Sequence, residues 1–542
     1  MCADHSPVPA EKIRAALDAV PHEFANWIDR AENAGPGGID LAAGYLLGYA
    51  FARLLTDDPR AEGRDTWTAL REAGSLSMQY VRALEAEEGD TVRVTVDYLG
   101  VGFRFRVSEA DGAGPRAGAW LQAFSLALAV GDGEALAALT ERHWRLLPDD
   151  DPRTTLARTL AALHRGRPVG LDGVDHPAAH ALAQGDHRAC AEALREAFAR
   201  YEADFQGSLR ALVPWDLFAV AALAHRHGVA VDVDSVHCPR RLLTGAGPLV
   251  RVPDGPIRRP GFHARYAARV LAQRERDAGE ELDELFDRPL SRSMASWQFV
   301  HFAQQRLEAF AVRSLADPDA EDVRQWIELV LARQAYAAAF RLLSAEPGAP
   351  VEVTVGDRAG ELRADGGQGV GRGAANYVHA AALAMITRDG DALASLGAVP
   401  DTVVLGDDPV GTHAARALRA HLAGRDPREG LQEVLDPRNV LDDEAECVFV
   451  PAARLLDVLV RGERAAFDPV LAEALELHRQ YHSVAIRRGR PESLVAPLPL
   501  AMACLARDRG WEVGIGSDYL PRRVVEGAWA ATPLDLTPYR GD

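Results

Sequence analysis

The stretch LAEALELHRQYHSVAIRRGRPESLVAPLPLAMACLARDRGWEVGIGSDYLPRR, Leu471 to Arg523, decides the fold. Val470, Ala474, Leu477 and Tyr481 follow the i, i+4, i+7, i+11 spacing of one helix face, and Leu471 and Leu475 widen it into a core-facing stripe. After a polar, glycine-bearing connection come Pro497 and Pro499 and then LAMACLA, a run apolar on every side, with Arg507 and Arg509 in the last turn before Gly510. This pattern predicts a buried helix with its stop signal. Trp511 to Gly516 predicts a short strand. Ser517, Asp518, Tyr519, Leu520 and Pro521 predict a sharp exit, since proline disfavours helical geometry at the residue before it.

The same unit occurs a second time. LAHRHGVAVDVDSVHCPRR, Leu223 to Arg241, aligns without a gap to Leu505–Arg523, so that Gly228 meets Gly510, Ser235 meets Ser517, and Pro239 meets Pro521. Upstream, Trp67 pairs with Trp326, Asp58-Pro59 with Asp317-Pro318, and VRVTV from Val92 with VEVTV from Val351, all in one register. A third block pairs Trp120 and LALAVGDGEALAAL with Tyr377 and LAMITRDGDALASL. Chance matches would not hold register across three blocks, so the chain is read as a tandem duplication.

The C-terminal unit resembles the immunity protein 49 family of bacterial polymorphic-toxin systems. LAEALELHRQY, the proline-bearing buried helix with LAMACLARDRG and the exit SDYLP carry the resemblance. It extends upstream to about Ala309 and recurs more faintly from about Ala50 to Leu243. The first copy departs at the exit, where Val236-His237-Cys238 replaces Asp518-Tyr519-Leu520. The resemblance implies stoichiometric binding and neutralisation of a cognate toxin, with specificity supplied by surface complementarity. The alternative is a non-catalytic helical scaffold or regulatory protein-binding module that keeps an immunity-like fold.

With 542 residues the chain is too long for one ordinary core, and the duplication divides it into two domains of a size that buries most of its apolar surface. The net charge of −19 disfavours nucleic acid and anionic membrane as partners and suits a basic protein. The five cysteines are odd in number and never spaced C-x-x-C, which argues against a disulfide framework or structural zinc. Met1 leads into polar CADHSPVPAEK, and no stretch reaches the roughly 18 apolar residues of a spanning helix, so a cytoplasmic location is expected.

Read in order, DLAAGYLLGYAFARLL predicts a helix with Asp40 as its N-cap, and Thr66 to Glu85 another. VRVTV and FRFRV, joined by Asp97 to Gly102, predict a hairpin with Val92, Val94 and Val96 on one side; VEVTV and Glu361-Leu362-Arg363 repeat it. Helices follow from Trp120, Glu134, Arg153 and Ala189. Thr244 to Pro260, rich in Gly and Pro, reads as the linker. The second copy is longer in its middle, between Leu396 and Gly462, where the acidic DDEAEC segment lies.

Several constellations resemble chemistry without completing it. Gly366 to Gly373, GGQGVGRG, lacks the Lys-Ser or Lys-Thr of a phosphate cradle. His225, His227, Asp232, Asp234, His237 and Cys238 include metal-ligand types, but the second copy carries Arg507, Arg509, Gly514, Gly516, Tyr519 and Leu520 there. Glu473 to His478 sits on a helix whose polar side is a solvated face, and no nucleophile meets a base. Trp67, Trp326, Trp120 and Tyr377 head helices and are expected in the core.

The expectation is therefore mainly α: two similar tandem helical domains, each with a small antiparallel hairpin that the late strand at Val231 or Val513 can extend. The first copy spans 1–245, the linker 246–260 and the second, closer to the family pattern, 261–542. No catalytic residue, cofactor or metal is expected. Partner contacts are expected at Asp518, Tyr519 and Arg522 on the exit, and at Asp442, Asp443 and Glu444.

Overall fold

The structure, a computed structural model, describes residues 7–31, 34–96, 101–108, 116–149, 151, 153–168, 173–287, 294–366, 369, 371–406, 408–440 and 442–537. Helices make up 64% of the described residues and the described strands form two antiparallel pairs, so the architecture is mainly α. The chain divides into two compact units, one of Met1–Leu249 with Val484–Ile486, the other of Val250–Ser483 with Arg487–Asp542. No helix among the described residues is long and apolar enough to cross a membrane.

The first unit runs α1 (Ala10–Ala31), α2 (Pro36–Leu54), α3 (Arg64–Glu85), the hairpin β1 (Thr91–Val96) and β2 (Val101–Arg106), α4 (Ala117–Val130), α5 (Gly133–Glu141), α6 (Thr154–His164), α7 (Pro177–Ala183), α8 (His187–Asp204), α9 (Trp215–Arg226) and α10 (Arg240–Thr244). Helix α2 starts earlier than its sequence predicts. Pro36 occupies the first turn, where its missing N–H costs nothing, and Gly35 turns the chain at φ 58, which places Asp40 inside the helix and not at its cap. The hairpin pairs Val94 with Phe103 and Val96 with Val101, and buries both valines as the alternation predicts. Its predicted turn lies mostly outside the described residues.

The second unit runs α11 (Ala264–Asp287), α12 (Ala295–Arg313), α13 (Val323–Ser344), the hairpin β3 (Pro350–Val355) and β4 (Arg358–Arg363), α14 (Ala374–Thr387), α15 (Gly390–Gly397), α16 (Asp401–Val404), α17 (Pro409–Leu422) and α18 (Arg428–Leu435). A single π turn, Ala445–Phe449, then leads into α19 (Val450–Arg461), followed by α20 (Arg464–Ser483), α21 (Pro497–Asp508) and α22 (Arg522–Val525). The long middle therefore adds α18 and the π turn. Helices α2 and α12 both have 19 residues, α3 and α13 have 22, α4 and α14 have 14, and α9 and α21 have 12.

Local chemistry repeats along with length. Before α3, Ala61 adopts φ 52 and its carbonyl accepts the Trp67 indole N–H at 2.7 Å, while the Asp58 carboxylate accepts from the N–H groups of Glu62 and Gly63 at 2.7 and 3.0 Å. Before α13, Ala320 adopts φ 57 and Asp317 accepts from Asp322 N–H at 2.8 Å, but the carbonyl of Ala320 is met by Trp529 from the chain end. The helix-heading aromatics do the same work in both units. Trp120 donates to the carbonyl of Leu139 at 3.2 Å, and Tyr377 donates to that of Leu396 at 2.9 Å, with all four expected core anchors buried. Asp132 and Asp389 cap α5 and α15 through the N–H groups of Ala135 and Ala392.

The late strand does not form. Residues 229–234 and 511–516 form neither helix nor strand and join neither hairpin, and the only pairing there among the described residues is an isolated parallel bridge between Ile257 and Ser517. A strand needs a partner of matching length. What reaches this backbone is one short turn of chain around Ile257.

Candidate functional site

The exit of the second unit is built on α21. Leu498 to Cys504 are all buried, Gly510 stops the helix at φ 76, and the chain turns at Ser517. The Ser517 hydroxyl accepts from Tyr519 N–H at 3.2 Å and its carbonyl from Leu520 N–H at 3.2 Å, and Pro521 then starts α22. The exit is thus an ordered turn.

Residues 256–259, read from sequence as linker, lie along that turn as a strap. Ile257 is buried, its N–H donates to the Gly516 carbonyl at 3.0 Å, and its carbonyl accepts from Asp518 N–H at 3.2 Å and the Ser517 hydroxyl at 3.1 Å. Arg258 pairs with Asp518 at 2.7 Å. Arg259 donates to the Ser314 hydroxyl at 2.8 Å and to the Asp518 carbonyl, and its guanidinium sits 5.8 Å from the centre of the Tyr519 ring. Burial lowers the pKa of Arg259, with Asp518 opposing.

Tyr519 is only 1% exposed. Its ring meets His478 of α20 edge-on at 5.0 Å, its hydroxyl finds no hydrogen-bond partner among the described residues, and burial pushes the phenol well above its ordinary range. Arg522 is half exposed and lies 3.5 and 3.8 Å from Glu321 and Glu526, a surface arrangement worth at most about 1 kcal/mol.

The acidic segment forms the entrance to the π turn. Asp442 caps it, accepting from Ala445 N–H at 2.7 Å. Asp443, 5% exposed, points inward to Arg487 at 3.5 Å, and Arg487 stacks 3.9 Å over the Tyr481 ring. Asp442 and Glu444 reach water, yet surrounding protein atoms crowd their carboxyl groups and raise their pKa. Asp408 adds to both shifts, as does Asp443 for Asp442 and Asp442 for Glu444. The six expected contact residues thus fall into two groups. Tyr519 leans on His478 and the acidic segment on Arg487 and Tyr481, both about the last turns of α20.

The first unit's exit has the same turn. His237 N–H donates to the Ser235 hydroxyl at 3.2 Å, and Cys238 N–H to the Ser235 carbonyl at 3.0 Å. His237 is buried as Tyr519 is, but its Nδ1–H donates to the Leu212 carbonyl at 2.6 Å, and Tyr201 of α8 and Phe205 just beyond it pack on its ring. Val236, in the place of Asp518, is exposed. His225, His227, Asp232 and Asp234 are exposed while His237 and Cys238 are buried, and no group of three or more His, Cys, Asp or Glu among the described residues is placed to hold a metal. The glycine loop 366–373 lies partly outside the described residues.

Sequence reasoning missed Ile257, Arg259, His478 and His482. The signal for the histidines was present: their i, i+4 spacing puts both on one helix face. For the strap, only the apolar-basic Ile257-Arg258-Arg259 between two prolines hints at anything beyond a linker.

No curated protein and no solved structure matches the chain. The family model described as immunity protein 49 matches residues 176–242 and 317–524, together just over half the chain. The two segments end at equivalent positions, Leu242 and Val524, in the register that aligns Leu223 with Leu505. Each segment contains a buried helix followed by a serine-capped exit, and on this match the chain belongs to the immunity protein 49 family.

Proposed function

We propose that the chain neutralises a cognate protein toxin by binding it stoichiometrically and covering its working surface, without catalysis. Family membership carries this reading. The second unit is the contacting half, because it alone has the inserted acidic segment, and Asp442 and Glu444 there present carboxylates to water. Crowded acidic groups on a chain of net charge −19 attract a basic partner and speed its approach. Asp518 and Arg522 flank this role at the exit, while the buried Tyr519 and Asp443 hold the surface in shape from below.

The test is co-expression with a candidate toxic domain, sought in the reading frames beside the gene. The intact chain should restore growth, and D442N/E444Q should weaken the association, most strongly at low salt. Full toxicity in the presence of the folded chain would remove the proposal. Undiminished association of D442N/E444Q at every salt concentration would move the contact elsewhere.

A further inference from the structure

The two exits differ in how they treat their buried polar atoms. In the first unit the ring cluster is Tyr201, Phe205 and His237. Tyr201 donates to the Ala211 carbonyl and His237 to the Leu212 carbonyl. In the second unit the corresponding cluster is His478, His482 and Tyr519, with the imidazole now on the helix and the phenol on the exit. The ring centres of His478 and His482 are 4.5 Å apart, and His478 meets Tyr519 at 5.0 Å, nearly perpendicular, as Tyr201 meets His237 at 5.2 Å.

All three side chains of the second cluster are more than nine-tenths buried. His478 Nε2, His482 Nδ1, the Tyr519 hydroxyl and the neighbouring Arg259 Nε find no hydrogen-bond partner among the described residues. Buried polar atoms are ordinarily satisfied, as those named in the first unit are, so the second exit keeps an arrangement that costs stability.

We propose that His478 and His482 are a proton-operated latch on the second unit's exit: neutral, His478 packs against Tyr519 with His482 behind it and the strap 256–259 stays closed; protonated, the pair expels it. Among the described residues, the charged groups about the two rings do not favour an added positive charge. Arg259 faces His478 from the strap, and Arg487 and Arg490 face His482 from the loop after α20. The nearby carboxylates are already committed: Glu476 to Arg479 at 2.6 Å and Asp518 to Arg258 at 2.7 Å.

From the π turn, Asp443 and Glu444 face Tyr481 and Arg487; from α19, Arg454 pairs with Glu473 two turns away. After the short turn Pro491–Leu494, His478 meets only the backbone of Val495, and Asp508 of α21 pairs with Arg388 at the opposite end of that helix. Burial accordingly drives the imidazole of His482 down to about 3 and that of His478 well below its ordinary range. A group held neutral in the closed state, and free to protonate near its ordinary value of about 6.5 once released, favours opening as pH falls below that value. For each pH unit the open population rises about tenfold for one histidine and about a hundredfold for two.

The latch belongs to the fold of the second unit and stands whether or not the toxin reading holds. Hydrogen exchange of the full chain, corrected for intrinsic rates and followed from pH 7.5 to 5.5, reads it. Protection at 511–525 and 256–259 should fall about a hundredfold, while the first exit, 229–243, serves as the internal control. In H478Y/H482F, which replaces both imidazoles with aromatic rings that bind no proton near neutral pH, the fall should vanish. His482→Asn, a smaller change at similar volume, should reduce it to about tenfold and covers the case in which the double variant does not fold. Unchanged protection in the wild type, the same fall in His482→Asn, or equal losses at both exits would overturn the proposal.

Discussion

The two units share the lengths of four matched helix pairs but differ in chemistry at matched positions of α2 and α3 against α12 and α13. In the first, Leu47 and Leu54 of α2 and Ala69 of α3 are buried apolar residues. In the second, the equivalent positions of the matched helices carry Arg306, Arg313 and Glu328, all buried. Arg306, 0% exposed, pairs with Glu281 of α11 at 2.7 Å and with Glu328 at 3.6 Å, while Arg313 pairs with Glu275 at 2.7 Å and Glu328 at 3.5 Å. The lesson is that these three positions accept either kind of contact, since the first unit places its own ion pair between α2 and α3 elsewhere, at Arg53 and Asp65, 3.1 Å apart. An apolar contact needs only complementary volume, whereas the ionic network also fixes which helix packs on α12 and in what register, at a desolvation cost.

The largest test of this contrast is Arg306→Leu. It leaves Glu281 and Glu328 facing an apolar side chain in a buried site, and should cost the second unit about 3–5 kcal/mol. The triple change Arg306→Leu, Arg313→Leu, Glu328→Ala, which copies the first unit, should recover most of that. Urea melts read with a probe in each unit check it: a single change costing under about 1 kcal/mol would mean the network carries no weight.

Tyr519 sharpens the comparison next. Tyr519→Ala empties a buried site and should cost about 3–5 kcal/mol, lowering Tm. Tyr519→Phe should be nearly neutral, since its hydroxyl has no partner to lose, whereas Tyr377→Phe should cost about 1 kcal/mol because its hydroxyl bonds to Leu396. Equal effects of the two Phe substitutions would show that the Tyr519 hydroxyl is satisfied after all. The smallest effects should come from the caps: Asp132→Ala removes a cap and should cost about 1 kcal/mol, and Asp389→Ala should cost more than Asp132→Ala because it also removes the partner of Arg333 at 2.7 Å. A smaller loss at Asp389→Ala than at Asp132→Ala would break the equivalence of the α4–α5 and α14–α15 corners.

The duplication, the hairpins and the buried helix α21 were legible in the sequence because they rest on periodicity and register. LAMACLA has no polar side to expose, and Val94 and Val96 alternate with polar neighbours. Three features were not legible. Whether an extended stretch becomes a strand depends on a partner far away in sequence, and residues 511–516 found only Ile257. A Gly-Pro-rich composition cannot reveal that Arg259 will be held by Ser314 and Asp518. Burial of Tyr519 depends on which side of a turn faces α20, which a five-residue motif leaves open. The acidic segment was visible as charge, but that Asp443 turns inward to Arg487 while Asp442 and Glu444 stay at the surface is a tertiary outcome.

The most direct measurement of the central claim is a titration of the purified chain into the active toxic domain proposed as its cognate partner, following residual toxic activity against molar ratio, with complex mass read in parallel. Neutralisation by occlusion predicts a linear loss of activity that ends at a fixed stoichiometric ratio, with a stable complex of the corresponding mass. Activity lost at far below equimolar chain would point to turnover, and activity that persists at excess chain would contradict the immunity reading altogether.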